Sequence, residues 1–419
     1  MNKAIKNKIR LAAGVALLTP SLAFATNGYF AHGYGTKNKG LVGGGVAEPQ
    51  DAMIAATNPA GMVYVGARAD VGAAIFSPSP RGYTATAPGG AATFPLAPQT
   101  VESDSDYFLI PHFAYNWVIN PTSTVGVTVY GNGGMNTDYS ASANVFGAGE
   151  AGVNLEQLFI NASYSVKVNP SNALGVSAIL AYQRFEAKGL AGFGAFSSDS
   201  ANLTNNGVDT STGYGLKVGW LGEVATGLRL AASYQSKMDM SKFDKYRGLF
   251  AEHGNFDIPA TWTVGLAWDI QPKNTLTFDV QKIMYSDVKA IANPLLPNLG
   301  ASQLGNDDGA GFGWEDMTIY KLGYQWETSS IWTWRVGYSH GDQPIPNSEV
   351  LFNILAPAVM EDHFTFGFTR NIGKDAEFNF AAMYSPKNDV TGPNPLGDGQ
   401  QVTLEMTQYE VEASYSWKF

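Results

Sequence analysis

The chain has 419 residues, with 26 basic and 36 acidic side chains and no cysteine. A net charge of −10 argues against nucleic acid as a partner, and the missing cysteines exclude a disulfide framework or a thiolate metal site. The length would serve two soluble domains, yet past the N-terminus no stretch reaches the roughly 18 consecutive apolar residues of a membrane helix. Forty-seven glycines, 12% aromatics and a mean hydropathy of −0.10 fit strands that alternate apolar and polar side chains.

The chain opens with Lys3, Lys6, Lys8 and Arg10, then an apolar run over 11–18, then Ala23-Phe24-Ala25. A basic region, a short apolar core and a small-x-small site predict a secretory signal peptide over 1–25. An N-terminal membrane anchor is disfavoured, because the apolar run is short and Pro20 interrupts it. Cleavage before Thr26 leaves 22 basic against 36 acidic residues, a balance of −14.

Residues 26–66 show no strand alternation. They contain Gly40, Gly43, Gly44 and Gly45, and then Asn58-Pro59-Ala60. Such a stretch ahead of a barrel predicts a compact plug, or hatch, in the lumen, with its backbone satisfied by inward side chains.

From residue 67 onward the chain breaks into segments of period-two alternation. They run over 68–76, 107–118, 124–130, 155–168, 173–186, 213–223, 228–237, 261–270, 275–285, 317–326, 332–340, 363–369, 376–384 and 404–419. Short turns such as Asn120-Pro121, Asn169-Pro170 and Thr226-Gly227 alternate with long connections, for example 77–105, 187–211, 286–316 and 341–361. The fold class this predicts is an all-β, transmembrane, 14-stranded antiparallel outer-membrane barrel over 67–419. Both termini then face the periplasm and the long loops face outward. Phe364, Phe366 and Phe368, and Trp262, Val264, Leu266 and Trp268, read as lipid-facing rows. Thr263, Asp269, Asp279, Arg335, Thr365, Glu377 and Asn379 fall on the opposite faces, where they must pair or meet the plug. In the last strand Val411, Ala413, Tyr415, Trp417 and Phe419 share one face. This ending resembles the terminal strand of bacterial outer-membrane barrels, whose final Phe belongs to the signal read by the assembly machinery.

The whole mature chain resembles the long-chain fatty acid transporter (FadL) family, which includes toluene- and hydrocarbon-uptake members. The resemblance rests on Asn58-Pro59-Ala60 before the first strand, Tyr130-Gly131-Asn132-Gly133-Gly134 after the third, and Tyr182-Gln183-Arg184 in the fifth. Ile258-Pro259-Ala260-Thr261-Trp262 and Arg335-Val336-Gly337-Tyr338, running into Asp342-Gln343-Pro344, add to it. It implies passive uptake of hydrophobic compounds across the outer membrane. Extracellular loops capture the ligand, and a hatch shift then releases it sideways through a kink in strand three. It also implies that Arg184 meets a ligand head group, that Phe30, Asn58, Pro59 and Ala60 belong to the hatch and its gating, and that Asp342 is the hatch's acidic partner. The run Gly131-Asn132-Gly133-Gly134 would form the lateral opening.

Two outer loops are apolar. Leu190, Phe193 and Phe196 lie in one, and Leu295, Leu296 and Leu299 in the other. Clustered apolar loop residues suggest a binding patch, although the two loops could simply pack on each other. No Lys or Arg occurs over 290–320, which weakens the case for a carboxylate ligand and leaves room for uncharged hydrocarbons. The histidines are scattered and no Gly-x-Ser-x-Gly elbow occurs, so neither a catalytic residue nor a metal or other cofactor is expected. The expected partners are a hydrophobic small molecule, outer-membrane lipid and lipopolysaccharide, and the barrel assembly machinery through Phe419; the barrel is expected to be a monomer. Two alternatives remain: a general diffusion porin for hydrophilic solutes, which would lack a plug, and an outer-membrane lipid-modifying enzyme, which would need a nucleophile and base in reach of each other.

Overall fold

The computed structural model describes residues 26–147 and 149–419. The expected signal peptide lies outside the described residues. Fourteen antiparallel strands close a ring: β1 Arg68–Ser77, β2 Phe108–Asn120, β3 Ser123–Tyr139, β4 Ala151–Asn169, β5 Asn172–Lys188, β6 Asp209–Ala225 and β7 Leu228–Gln235, then β8 Thr261–Gln271, β9 Asn274–Ile283, β10 Met317–Glu327, β11 Trp332–His340, β12 Asp362–Ile372, β13 Ala376–Pro393 and β14 Gln401–Lys418. Each strand pairs with its neighbours in sequence, and β1 pairs with both β2 and β14, so the ring has no free edge. Closure is what lets strands cross lipid, because every backbone group finds its partner inside the sheet.

The faces follow the alternation. In β12, His363, Thr365 and Thr369 are buried on the lumen side, while Phe364 and Phe366 are exposed on the other. Trp332 and Trp334 stack at 5.5 Å beside Phe368, and Tyr115 packs on Phe419 at 5.8 Å, giving the turn-side rim an aromatic girdle. Inside, polar side chains pair across the wall: Thr369 with Asn379 at 2.8 Å, and Asn379 with Ser414 and Ser416 at 3.2 Å each.

Several strands run further outward than the sequence predicts. β3 reaches Tyr139, β4 starts at Ala151 and β13 reaches Pro393. Within the expected loop 77–105, Arg81–Ala85 and Gln99–Glu102 form a ribbon that pairs with β14 through Ala85 and Val402. These extensions lie above the membrane band. With no lipid to demand an apolar face, their alternation is weak in sequence.

Candidate functional site

Residues 26–66 meet the inward face of the wall on several sides. Thr36–Gly40 is a single helical turn that brings two lysines to the wall. Lys37 lies 2.6 Å from Glu377, and Lys39 lies 2.8 Å from Glu410 and 2.7 Å from Glu412. Arg68 on β1 joins the first group, at 3.0 Å from Glu377 and 2.7 Å from Asp70. Arg335 donates to the Gln50 side chain at 2.7 Å, Asp279 accepts the Val46 N–H at 2.9 Å, and Asp70 accepts the Ala52 N–H at 2.8 Å. The inward residues Glu377, Asp279 and Arg335 thus each find a partner in this segment. Asn58, Pro59 and Ala60 seat against β4 to β6. Asn58 donates to the Val46 and Trp220 carbonyls at 3.0 and 3.1 Å, and its own oxygen accepts the Ala60 N–H. The wall offers Gly219 there, where a Cβ would stand 2.0 Å from the Asn58 oxygen.

The first residues of the segment are held otherwise. Phe30 bridges to Gly133 of β3; the Ala31 N–H donates to the Asn132 carbonyl at 3.0 Å, and the Gly134 N–H donates to the Tyr29 carbonyl at 2.9 Å. A Cβ on Gly133 would stand 1.8 Å from the Tyr29 oxygen, so the close approach requires glycine. Opposite Asn132 the β3–β4 register skips one residue. Such a bulge shifts the side-chain alternation by one. Thr128 and Tyr130 are the buried inward residues before it, and Met135, Thr137 and Tyr139 after it.

On its other side β3 leaves its neighbour. The β2–β3 ladder ends at His112 opposite Tyr130, while β3–β4 pairing continues to Tyr139 opposite Ala151. Phe108 to Pro111 of β2 still pair with β1. Pro111, the first residue beyond the ladder, has no N–H to give. The β2–β3 ladder is therefore interrupted beside the glycine run, and the N-terminal segment takes the bonds of β3 there. Behind the break lie Ala31, Phe108 and Ile110, with Tyr34 packed against them; the Tyr34 hydroxyl donates to Asn132 at 2.8 Å.

Among the outer loops is a small cavity lined by apolar side chains. Phe185 of β5 and Leu190, Phe193, Leu249, Phe250, Phe312, Phe352 and Leu355 from four loops surround it, with no charged residue. Asn353, fully buried, ties two of these loops together: it accepts from the Trp314 indole at 2.6 Å and donates to the Phe312 and Glu349 carbonyls at 2.7 and 2.8 Å. Between this pocket and the lumen stands a partition of rings. Phe250 packs on Phe256 at 4.8 Å and Phe256 on Tyr29 at 6.1 Å; Tyr29 also meets Phe30, Tyr285 and Trp314 at 5.2, 5.3 and 6.0 Å. Burial holds the Tyr29 and Tyr285 phenols well above their usual range. They stay protonated, and Tyr285 donates to the Asn27 carbonyl.

The residues singled out from sequence divide. Leu190 and Phe193 line the pocket; Leu295 and Leu299 are buried in the same apolar core without lining it, Phe196 packs on that core, and Leu296 is exposed. Two others stand apart from the pocket and from the N-terminal segment. Arg184 lies on the opposite face of β5 from Phe185 and pairs with Glu156 at 3.2 Å, away from the cavity. Asp342 is fully exposed, 3.9 Å from His340; the carboxylates that meet the N-terminal segment are Glu377, Glu410, Glu412, Asp279 and Asp70. Sequence reasoning missed Phe250, Phe312, Phe352 and Leu355. The apolar run over 350–360, inside an outer loop, carried the same signal as the two loops it did select.

A closed fourteen-stranded ring with an aromatic lipid face and a charged, filled interior defines an outer-membrane barrel of the transport type. The chain belongs to the family of outer membrane protein transport proteins (OMPP1/FadL/TodX), whose model matches residues 12–416. Its fold is similar to that of the Pseudomonas putida toluene transporter TodX, at TM-score 0.66 and 17% identity over 93% of this chain and 99% of that one. A Pseudomonas aeruginosa FadL homologue gives 0.66 at 16% identity over 94% and 100%. The Ralstonia pickettii toluene transporter TbuX gives 0.63 at 16% over 93% and 99%. No curated protein sequence matches. At these identities the solved structures establish the fold, and the family match establishes an outer-membrane transport protein.

Proposed function

We propose that this protein imports uncharged hydrophobic compounds by passive diffusion, with residues 26–66 as its hatch, and releases them sideways into the membrane through the break between β2 and β3. The observation that carries the reading is that the β2–β3 ladder stops at His112–Tyr130, where the N-terminal residues Tyr29 to Ala31 fill the inner side of the break. The lining of the outer pocket selects the ligand class: with no charged side chain, it gives a carboxylate nothing to pair with, whereas each CH₂ moved from water is worth roughly 0.8 kcal/mol. The ligand then passes the ring partition when Tyr29 and Phe30 swing away. Sideways exit keeps it in apolar surroundings. The names of the toluene transporters TodX and TbuX point the same way.

Filling the break by Gly133→Phe would also collide with Tyr29, so the cleaner test removes the extra residue. Deleting Asn132 lets β3 alternate without a bulge and favours continued pairing with β2. Uptake of a labelled monoaromatic should be lost while the amount of folded barrel in the membrane stays unchanged. Unchanged uptake in a folded, bulge-free variant would rule out lateral exit here.

A further inference from the structure

Below the ring partition lies a second, small cavity with the opposite chemistry. Lys217 of β6 and Lys321 of β10 line it, together with His32 of the hatch and Gln235 of β7, and no carboxylate does. Its cations are unlike the others in the lumen. Lys37 and Lys39 each have a carboxylate within 2.8 Å, whereas among the described residues neither Lys217 nor Lys321 has one within 4.0 Å. Both are buried. They bind hatch carbonyls instead: Lys217 that of Ala56, and Lys321 those of His32 at 2.8 Å and Gly43 at 3.3 Å. An ammonium carries three N–H groups, so donors remain on both. Asp279 lies opposite Lys321 on the next strand and is its counter-charge; one of its oxygens accepts the Val46 N–H and the other is unpartnered. His32 is 1% exposed with both ring nitrogens unpartnered, and Gln235 is 3% exposed with its amide nitrogen unpartnered. Lys217 is thus the buried ammonium without a counter-charge, which is costly, and unused buried donors add to the cost.

We infer that this chamber binds a small inorganic anion. The anion accepts from Lys217, from Gln235 and, in the tautomer that directs its N–H inward, from His32. Because Lys217 and Lys321 also hold the hatch, the anion balances the charge that fastens residues 32–56 to the wall.

Crystals of the full mature protein soaked in sodium bromide test the site directly. An anomalous peak within hydrogen-bond distance of the Lys217 ammonium is expected, and it should vanish in the Lys217→Met, Lys321→Met variant. No peak in the wild type, or a peak that survives in the variant, overturns the site. If the double variant does not assemble, Gln235→Leu removes an unpartnered donor without touching the hatch; there the peak should weaken, and undiminished height counts equally against the proposal. The bromide site does not depend on the transport reading, so failure of that reading leaves this result standing.

Discussion

From Thr36 onward the hatch meets the wall through charge, with Lys37, Lys39, Gln50 and the Val46 and Ala52 amides each matched to an inward side chain. Ahead of it, Tyr29 to Ala31 meet the wall through two peptide hydrogen bonds and a set of ring contacts. The difference sets which part can move. Removing one partner of a buried ion pair costs about 3–5 kcal/mol, because the other charge is left stranded. A backbone hydrogen bond contributes about 0.5–1.5 kcal/mol net, and a hydrophobic ligand can replace the ring contacts. In the mechanism proposed above, the short first stretch is the part that moves, and it lies at the interrupted β2–β3 ladder.

The largest effect should come from removing both parts. Deleting residues 26–66 should raise single-channel conductance sharply, whereas deleting 26–34 alone should leave the ion-paired body in place and conductance close to the parent value. Equal conductance from the two deletions would erase the distinction between the parts. Next in size, Lys39→Ala leaves the neighbouring buried carboxylates Glu410 and Glu412 with His112, 3.4 Å from Glu412, as their remaining basic neighbour; a loss of about 3–5 kcal/mol should loosen the N-terminal segment and appear as frequent openings in planar bilayers. In the outer pocket, Phe193→Ser or Phe352→Ser removes a lining ring. With about 1.5–3 kcal/mol for a buried apolar side chain, uptake of dilute substrate should fall roughly tenfold or more while saturating uptake changes little. Smallest of all, Arg184→Gln breaks a partly exposed pair outside the cavity, so with about 0.2–1 kcal/mol at stake, uptake of either a carboxylate or a hydrocarbon should be unaltered.

The ring was legible because lipid writes a period-two pattern into every crossing strand: Phe364, Phe366 and the inward His363 and Thr365 could be sorted by eye. The glycine run reads either as a bulge or bend in the strand or as its exit into a loop, and β3 carries a register shift there and continues to Tyr139. What sequence could not supply was partnership across the lumen. Asp342 and Glu377 are both carboxylates near predicted strand ends, and only the strand register places Glu377 beside Lys37 and Arg68 and leaves Asp342 in solvent. The orientation of Arg184 was illegible for a related reason. Whether even or odd residues of β5 face inward depends on the whole ring, and Gln183 and Phe185 won that face. The pocket's remaining walls, Phe250, Phe312 and Phe352, come from loops, where no periodicity signals which apolar side chains meet.

Hydrogen exchange across the hatch, with and without a bound hydrocarbon, tests the central claim most directly. The amides of Ala31 and Gly134 report the joint at the break, and those of Val46 and Ala52 report the ion-paired body. Ligand should speed exchange at Ala31 and Gly134 and leave Val46 and Ala52 protected. Exchange that rises at all four together, or at none, would contradict a hinged hatch that opens onto the break.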